Sequence, residues 1–175
     1  MEKNAVWYTN GKGNNVKVLV CKDYDTLSKK AAGILAGIVN VKPNAILGLA
    51  TGSSPVGTYK ELIKLNQEGL LDFSAVRTYN LDEYYPLDPS NDQSYHYFMN
   101  DNLFDHVNID KNNVHVPDGN APDMNKACES YEAMPWRTRV CSAGSTSTPP
   151  RVLVTMFSAS SAARGPIMGP PSTRR

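Results

Sequence analysis

Residues 45–49 (Ala-Ile-Leu-Gly-Leu) narrow the choice of fold more than any other stretch. The segment is short, apolar throughout, and bounded by Pro43-Asn44 on one side and Thr51-Gly52 on the other. A strand with one wet face alternates apolar and polar residues. A strand with no polar position is expected to bury both faces, as inside a parallel sheet. The neighbouring sequence alternates to match. Residues 16–20 form a β-branched and aliphatic run that reads as a strand. Asp25 is placed to cap a following helix, in which Leu27, Ala31, Ile34, Leu35 and Ile38 recur every three or four residues, until Pro43 stops it. Beyond residue 49 a glycine-containing loop leads to a helix from about Pro55 to Gly69. Ser54 is placed as its cap and Pro55 at its first position. Residues 76–81 make a third strand, 94–103 a helix, 114–116 an extended piece, and a last helix begins after Pro122 and runs toward Tyr131. Strand, helix, strand, helix, strand is the order of an α/β chain with a Rossmann-like, doubly wound parallel sheet and helices on both faces.

Composition becomes informative only when read by position. All seventeen Asp and Glu precede residue 133, and only one of the seven Arg does. Residues 133–175 carry six Arg but no Lys, Asp, Glu or His, with Pro149-Pro150 and Gly169-Pro170-Pro171 among them. A switch this abrupt reads as a shifted reading frame or an unrelated appended segment. The expected organisation is a polar leader at 1–15, an α/β domain at 16–132, and a Pro/Ser/Arg-rich tail at 133–175 that is loosely attached or disordered, with only residues 152–154 strand-like. The net charge of +1 gives no reason to expect nucleic acid. No apolar run approaches the ~20 residues of a membrane span, and the first residues have no signal-peptide core. The three cysteines lack Cys-x-x-Cys spacing and are expected to be reduced thiols of a cytoplasmic protein.

Two loops carry the chemistry. Each follows the C-terminal end of a predicted strand, where open parallel sheets bind ligands. In the first, Thr51, Ser53 and Ser54 offer hydroxyls, Gly52 permits close backbone approach, and the next helix presents unpaired N–H groups. That is the composition of a phosphate cradle, without the Lys-Ser/Thr ending of a nucleotide loop. An ordinary strand-to-helix turn has much the same composition. The second loop is Asn80-Leu81-Asp82-Glu83-Tyr84. An ionised Asp82 beyond a buried strand is placed to take a proton from carbon next to a carbonyl or imine. The alternative is a solvated acidic turn, and Glu83, pointing the other way, is expected at the surface or as a structural partner. His96, His106 and His115 have no metal-binding spacing, so no metal is expected. Tyr95, Tyr97, Phe98 and Phe104 are expected in the core.

Taken together, these segments resemble glucosamine-6-phosphate deaminases. The resemblance rests on Val-Lys-Val-Leu-Val-Cys-Lys-Asp-Tyr-Asp (16–25), Leu-Gly-Leu-Ala-Thr-Gly-Ser-Ser-Pro-Val-Gly-Thr-Tyr (47–59), Tyr-Asn-Leu-Asp-Glu-Tyr (79–84), Ser-Tyr-His-Tyr-Phe-Met (94–99), Phe-Asp-His (104–106) and Asp-Gly-Asn-Ala-Pro-Asp (118–123). It runs from about residue 16 to 132, about two thirds of the chain. The resemblance implies a small-molecule substrate, glucosamine 6-phosphate. Its ring is opened, a proton moves from C2 toward C1, and ammonia leaves to give fructose 6-phosphate, with no cofactor. It places Asp82 on the enolising base, and Thr51, Gly52, Ser53 and Ser54 on the loop that helps hold the sugar phosphate. Family members continue into a Gly-x-Gly-x-Asp-Gly-His-Ile-x-Phe-Asn-Glu-Pro type of segment that supplies ring-opening Asp, His and Glu, and later into phosphate-binding Arg and Lys. Residues 133–175 do not carry that segment, so the sheet is expected to be incomplete at its C-terminal side, with an apolar edge open to association, including a homo-oligomer. An impaired enzyme follows. A non-catalytic sugar-phosphate-binding protein and a 6-phosphogluconolactonase-like hydrolase are the other readings. Asn-Leu-Asp-Glu-Tyr argues against the lactonase, where an Asp-Glu-Arg element is usual.

Overall fold

A computed structural model of the chain describes residues 5–9, 15–134 and 152–153. The elements in order are β1 (Ala5–Thr9), β2 (Asn15–Leu19), α1 (Tyr24–Val41), β3 (Ile46–Leu49), α2 (Val56–Gln67), β4 (Arg77–Asn80), α3 (Tyr95–Met99), β5 (Val114–His115), α4 (Met124–Glu132) and β6 (Val152–Leu153). α3 runs on as a π-helical turn over Asn100–Phe104, and a short 3-10 turn, Lys111–Asn113, precedes β5.

β3, β4, β5 and β6 form a wholly parallel sheet in the order β5-β4-β3-β6. The chain steps from β3 outward to β5 and then returns to the far side of β3. This reversal is the hallmark of a doubly wound α/β sheet. Leu47 and Leu49 project into the main core with Ala32, Leu35, Ala36 and Val39 of α1, Tyr59 and Leu62 of α2, and Met99, Leu103 and Phe104. On the opposite face Tyr79 stacks on His115, ring centroids 4.4 Å apart, and meets Tyr131 of α4 edge-on at 6.4 Å. Helices thus lie on both faces.

Several local expectations need correction. The run at 16–20 does form a strand, but β2 pairs antiparallel with β1 as a separate hairpin and does not enter the parallel sheet. β1 itself lies within the stretch expected to be a polar leader; Ala-Val-Trp-Tyr-Thr is a β-branched and aromatic run in its own right. α1 is capped by Asp23 rather than Asp25: the Asp23 side chain accepts the Thr26 N–H at 2.7 Å. Its inner stripe is Ser28, Ala31, Ala32, Leu35, Ala36 and Val39, which leaves Ile34 exposed. β3 is not buried on both faces. Leu47 and Leu49 are buried while Ile46 and Gly48 are half-buried. Residues 152–153 form the short strand expected near 152–154 and pair with β3 across two rungs, Leu47 to Val152 and Gly48 to Leu153. The other expectations for 133–175 lie outside the described residues, apart from Ala133 and Met134.

Candidate functional site

The geometry of the site begins with strand register. β3 and β4 are parallel, and their last residues, Leu49 and Asn80, are partners. Neighbouring strands lie about 4.8 Å apart, so the loops carrying Thr51 and Asp82 leave one edge of the sheet side by side. Asn80 ties them: its buried side-chain amide donates to the Leu49 carbonyl at 3.1 Å. Its Oδ1 has no partner among the described residues.

In the first loop Thr51 and Ser54 are half-buried, and Gly52 and Ser53 face solvent. Gly52 sits at φ +91, a region where a side chain would strain the turn. Ser54 does not cap α2. The cap position is Pro55, which supplies no side-chain bond. The capping group comes instead from the start of α1. Tyr24 Oη accepts the Gly57 N–H at 2.8 Å and lies 3.0 and 2.9 Å from the carbonyls of Ser53 and Ser54. The Tyr59 hydroxyl, buried in the core, donates to the Ala50 carbonyl. Behind the loop lies a cavity of about 140 Å³ lined by Gly48, Leu49, Ala50, Thr51, Ser54 and Tyr59.

In the second loop the two carboxylates divide their roles. Asp82 opens onto a separate cavity of about 250 Å³, between its own loop, the 117–119 stretch and α4. Burial, and then the charge of Glu83, hold the Asp82 carboxyl above its ordinary range, which strengthens it as a base. The Glu83 side chain is only 2% exposed. It accepts the N–H groups of Tyr84 at 2.9 Å, Tyr95 at 2.8 Å and His96 at 2.9 Å. Glu83 therefore caps α3 alongside the true N-cap, Ser94, whose hydroxyl accepts the Tyr97 N–H at 2.9 Å. It is the structural partner expected of it. The Tyr85–Pro86 bond is cis.

Tyr95 joins the two loops. Its hydroxyl donates to the Tyr84 hydroxyl at 3.2 Å. That bond, then burial, pushes the Tyr95 phenol up to about 12; a hydrogen bond with the Thr51 side chain acts the other way, and the Asp82 charge adds to the rise. The Tyr95 hydroxyl thus feels both the Thr51 side chain of the first loop and the charge of Asp82. The expectation that Tyr95 and Tyr97 belong to the core is wrong: Tyr95 is half-buried at this junction and Tyr97 is exposed, while Phe104 is core and Phe98 packs against it. Tyr95, Tyr24 and Asn80 escaped the sequence reading because no spacing marks a side chain that works across a sheet edge. The one usable signal was Ser94, whose fit as an N-cap puts Tyr95 at the mouth of a helix.

The other candidates are placed as follows. The His106 ring bonds the Asp101 carbonyl at 2.8 Å, and His96 faces Glu83 at 3.5 Å. His115, stacked on Tyr79, is held below its ordinary value by burial and then by the Arg77 charge. Among the described residues no three His, Cys, Asp or Glu groups gather as metal ligands, and Cys21 and Cys128 are free thiols. Cys141 lies outside the described residues.

Comparisons with known proteins agree with this architecture. The sequence profile described as glucosamine-6-phosphate isomerases/6-phosphogluconolactonase matches residues 24–139. A glucosamine-6-phosphate deaminase of Clostridioides difficile (strain 630) is 58% identical over 118 residues, covering 67% of this chain and 47% of that protein. One of Clostridium botulinum (strain Alaska E43 / Type E3) is 52% identical over 117 residues, covering 67% and 47%. Among solved structures, a monomeric glucosamine-6-phosphate deaminase superposes with TM-score 0.63 at 45% identity, covering 64% of this chain and 46% of that one. A 6-phosphogluconolactonase of Thermotoga maritima shares the fold at TM-score 0.54 and 24% identity, over 65% of this chain and 50% of that one. The chain spans about half the length of the curated relatives it matches. On the extent of the profile match and the identity to these relatives, the chain belongs to the glucosamine-6-phosphate isomerase/6-phosphogluconolactonase family.

Proposed function

We propose that the chain binds glucosamine 6-phosphate and carries the enolising half of a deaminase site, the family reaction being conversion of glucosamine 6-phosphate and water to fructose 6-phosphate and ammonia. In this reading Thr51, Gly52, Ser53 and Ser54 hold the phosphate, and Asp82 takes the C2 proton and delivers it toward C1. Water then hydrolyses the C–N bond at C2 and ammonia leaves, which makes the enzyme a hydrolase acting on C–N bonds in amino sugar and N-acetylglucosamine catabolism. The observation that carries the reading is the pairing of Leu49 with Asn80, which brings the 51–54 loop and the Asp82 carboxylate to the same end of the sheet. The names of the relatives favour the amino sugar over a lactone.

Residues 133–175 supply no Asp, Glu or His, so ring opening is without its family groups in this stretch. Loss of one general acid–base group costs about 100- to 10,000-fold in rate, and turnover by this chain falls at least that far below an intact relative. A sugar-phosphate-binding role without chemistry is the second reading, favoured by the same absence. No helix among the described residues is long and apolar enough to cross a membrane, and we place the protein in the cytoplasm. Calorimetry of the purified 175-residue chain with glucosamine 6-phosphate, beside an ammonia-release assay, tests the proposal. Saturable binding with little or no ammonia is expected. Absence of binding overturns the proposal, and ammonia release at the rate of an intact relative overturns the impairment.

A further inference from the structure

Tyr24, which caps α2 from the first turn of α1, has no part in the proposed chemistry, yet its hydroxyl makes three contacts with the loop that would receive the anion. It accepts the Gly57 N–H at 2.8 Å and is 3.0 Å from the Ser53 carbonyl and 2.9 Å from that of Ser54. Its ring also fills the space beside Gly57. A methyl group there would lie 2.7 Å from Tyr24 Cε1 and would collide with Ser28 Oγ. Ser28 is buried and its hydroxyl has no partner among the described residues. α2 thus begins at Val56 behind a proline that cannot cap it, and a side chain from the first turn of α1 takes over that task.

The consequence follows from peptide geometry. In a trans peptide the C=O of one residue and the N–H of the next point in opposite directions. By holding the Ser53 carbonyl toward α1, the Tyr24 hydroxyl turns the Ser54 N–H the other way, out of the loop. Freed from Tyr24, the same peptide could swing and present its carbonyl, the negative end, to an incoming anion. The neighbouring carbonyl, Ser54 O, is held on the Tyr24 side by the same hydroxyl.

We propose that Tyr24 is a positioning residue for phosphate: its hydroxyl sets the orientation of the Ser53–Ser54 peptide so that the loop presents N–H groups, and not carbonyl oxygens, to the phosphate of the ligand. The inference rests on the reading of residues 51–54 as the phosphate loop. It adds a residue about thirty positions upstream that never touches the ligand.

The test uses the full chain, uniformly labelled with ¹⁵N and titrated with inorganic phosphate and, separately, with glucosamine 6-phosphate. Tyr24→Phe keeps the ring against Gly57 and removes only the hydroxyl. Its affinity for both ligands should fall about tenfold, the size of one lost hydrogen-bond contribution, and the phosphate-induced shift of the Ser54 amide should shrink. Tyr97→Phe, exposed on α3, should bind like the parent. Gly57→Ala, whose methyl meets the Tyr24 ring and Ser28 Oγ, shifts that ring while leaving its phenol chemically intact and should reproduce the loss. Parent-like affinity and an unchanged Ser54 shift in Tyr24→Phe overturn the positioning role and leave the phosphate loop standing. A parent chain that binds neither ligand overturns the loop assignment, and the positioning role with it.

Discussion

The side-chain amide of Asn80 donates to the main-chain carbonyl of Leu49, joining the last residues of the two strands from which the candidate site springs. Asn80 is 0% exposed. Asn80→Ala removes this bond within a buried setting, and a cost of about 1–3 kcal/mol is expected from a buried polar group left unpaired. Urea unfolding of the variant reads that cost directly. A midpoint indistinguishable from the parent would mean that water already serves the Leu49 carbonyl.

Glu83 gives a double readout. Its buried carboxylate accepts three backbone N–H groups, so Glu83→Gln, which turns an acceptor into a donor, should destabilise the fold by about 1.5–3 kcal/mol, the range for hydrogen bonds to charged groups. It should also lower the titration midpoint of Asp82, since the Glu83 charge is the second cause of that elevation. The sign is fixed by linkage. A carboxyl raised in the folded state costs stability as pH climbs from the ordinary value of 3.8 through the raised one, and the variant should lose part of that slope. Carboxyl ¹³C shifts of Asp82 followed against pH provide the check.

His115 makes the fold sensitive to mild acid. Its imidazole is held neutral by burial and by Arg77, while the unfolded chain protonates it near the ordinary value of 6.5. Stability from this group is complete above that value and is lost as pH falls through the lower, folded one. Urea midpoints at pH 7.5, 6.5 and 5.5 should therefore decline in the parent and decline less in His115→Gln. Parallel declines in both would place the acid sensitivity elsewhere.

Gly119 has no room for a side chain. A methyl group there would strike the Tyr84 carbonyl and lie 2.9 Å from that of Leu87, whose N–H the Gly119 carbonyl itself accepts at 2.7 Å. Backbone atoms cannot rotate away, so Gly119→Ala should cost about 1–3 kcal/mol by overpacking and should loosen residues 82–87. Amide exchange confined to that loop, with α2 still protected, is the expected pattern; uniform protection would show that the loop absorbs the methyl group.

The parallel sheet was legible from the apolar run at 45–49, although one face of β3 is only half-buried, and the loop that leaves it was legible because Thr51, Gly52, Ser53 and Ser54 follow that strand directly. Residues 15–19 show the limit. β-branched composition announces a strand, but its partner, β1, is decided by distant pairing that local propensity does not encode. The capping of α2 was illegible for a similar reason. Ser54 satisfied every local rule for an N-cap, yet a phenol from thirty residues away does the work. Tyr95 looked like one member of an aromatic core cluster until Glu83 was seen to fix the start of α3 and set that ring at the rim.

The hydroxyl of Tyr131 lies 2.8 Å from the Asn80 carbonyl and 3.1 Å from that of His115. The final turn of α4 is thus fastened to the ends of β4 and β5, two residues short of Asp82. A displacement of the last turn of α4 would therefore pull first on the main chain at Asn80 and His115, the strand ends next to the Asp82 loop.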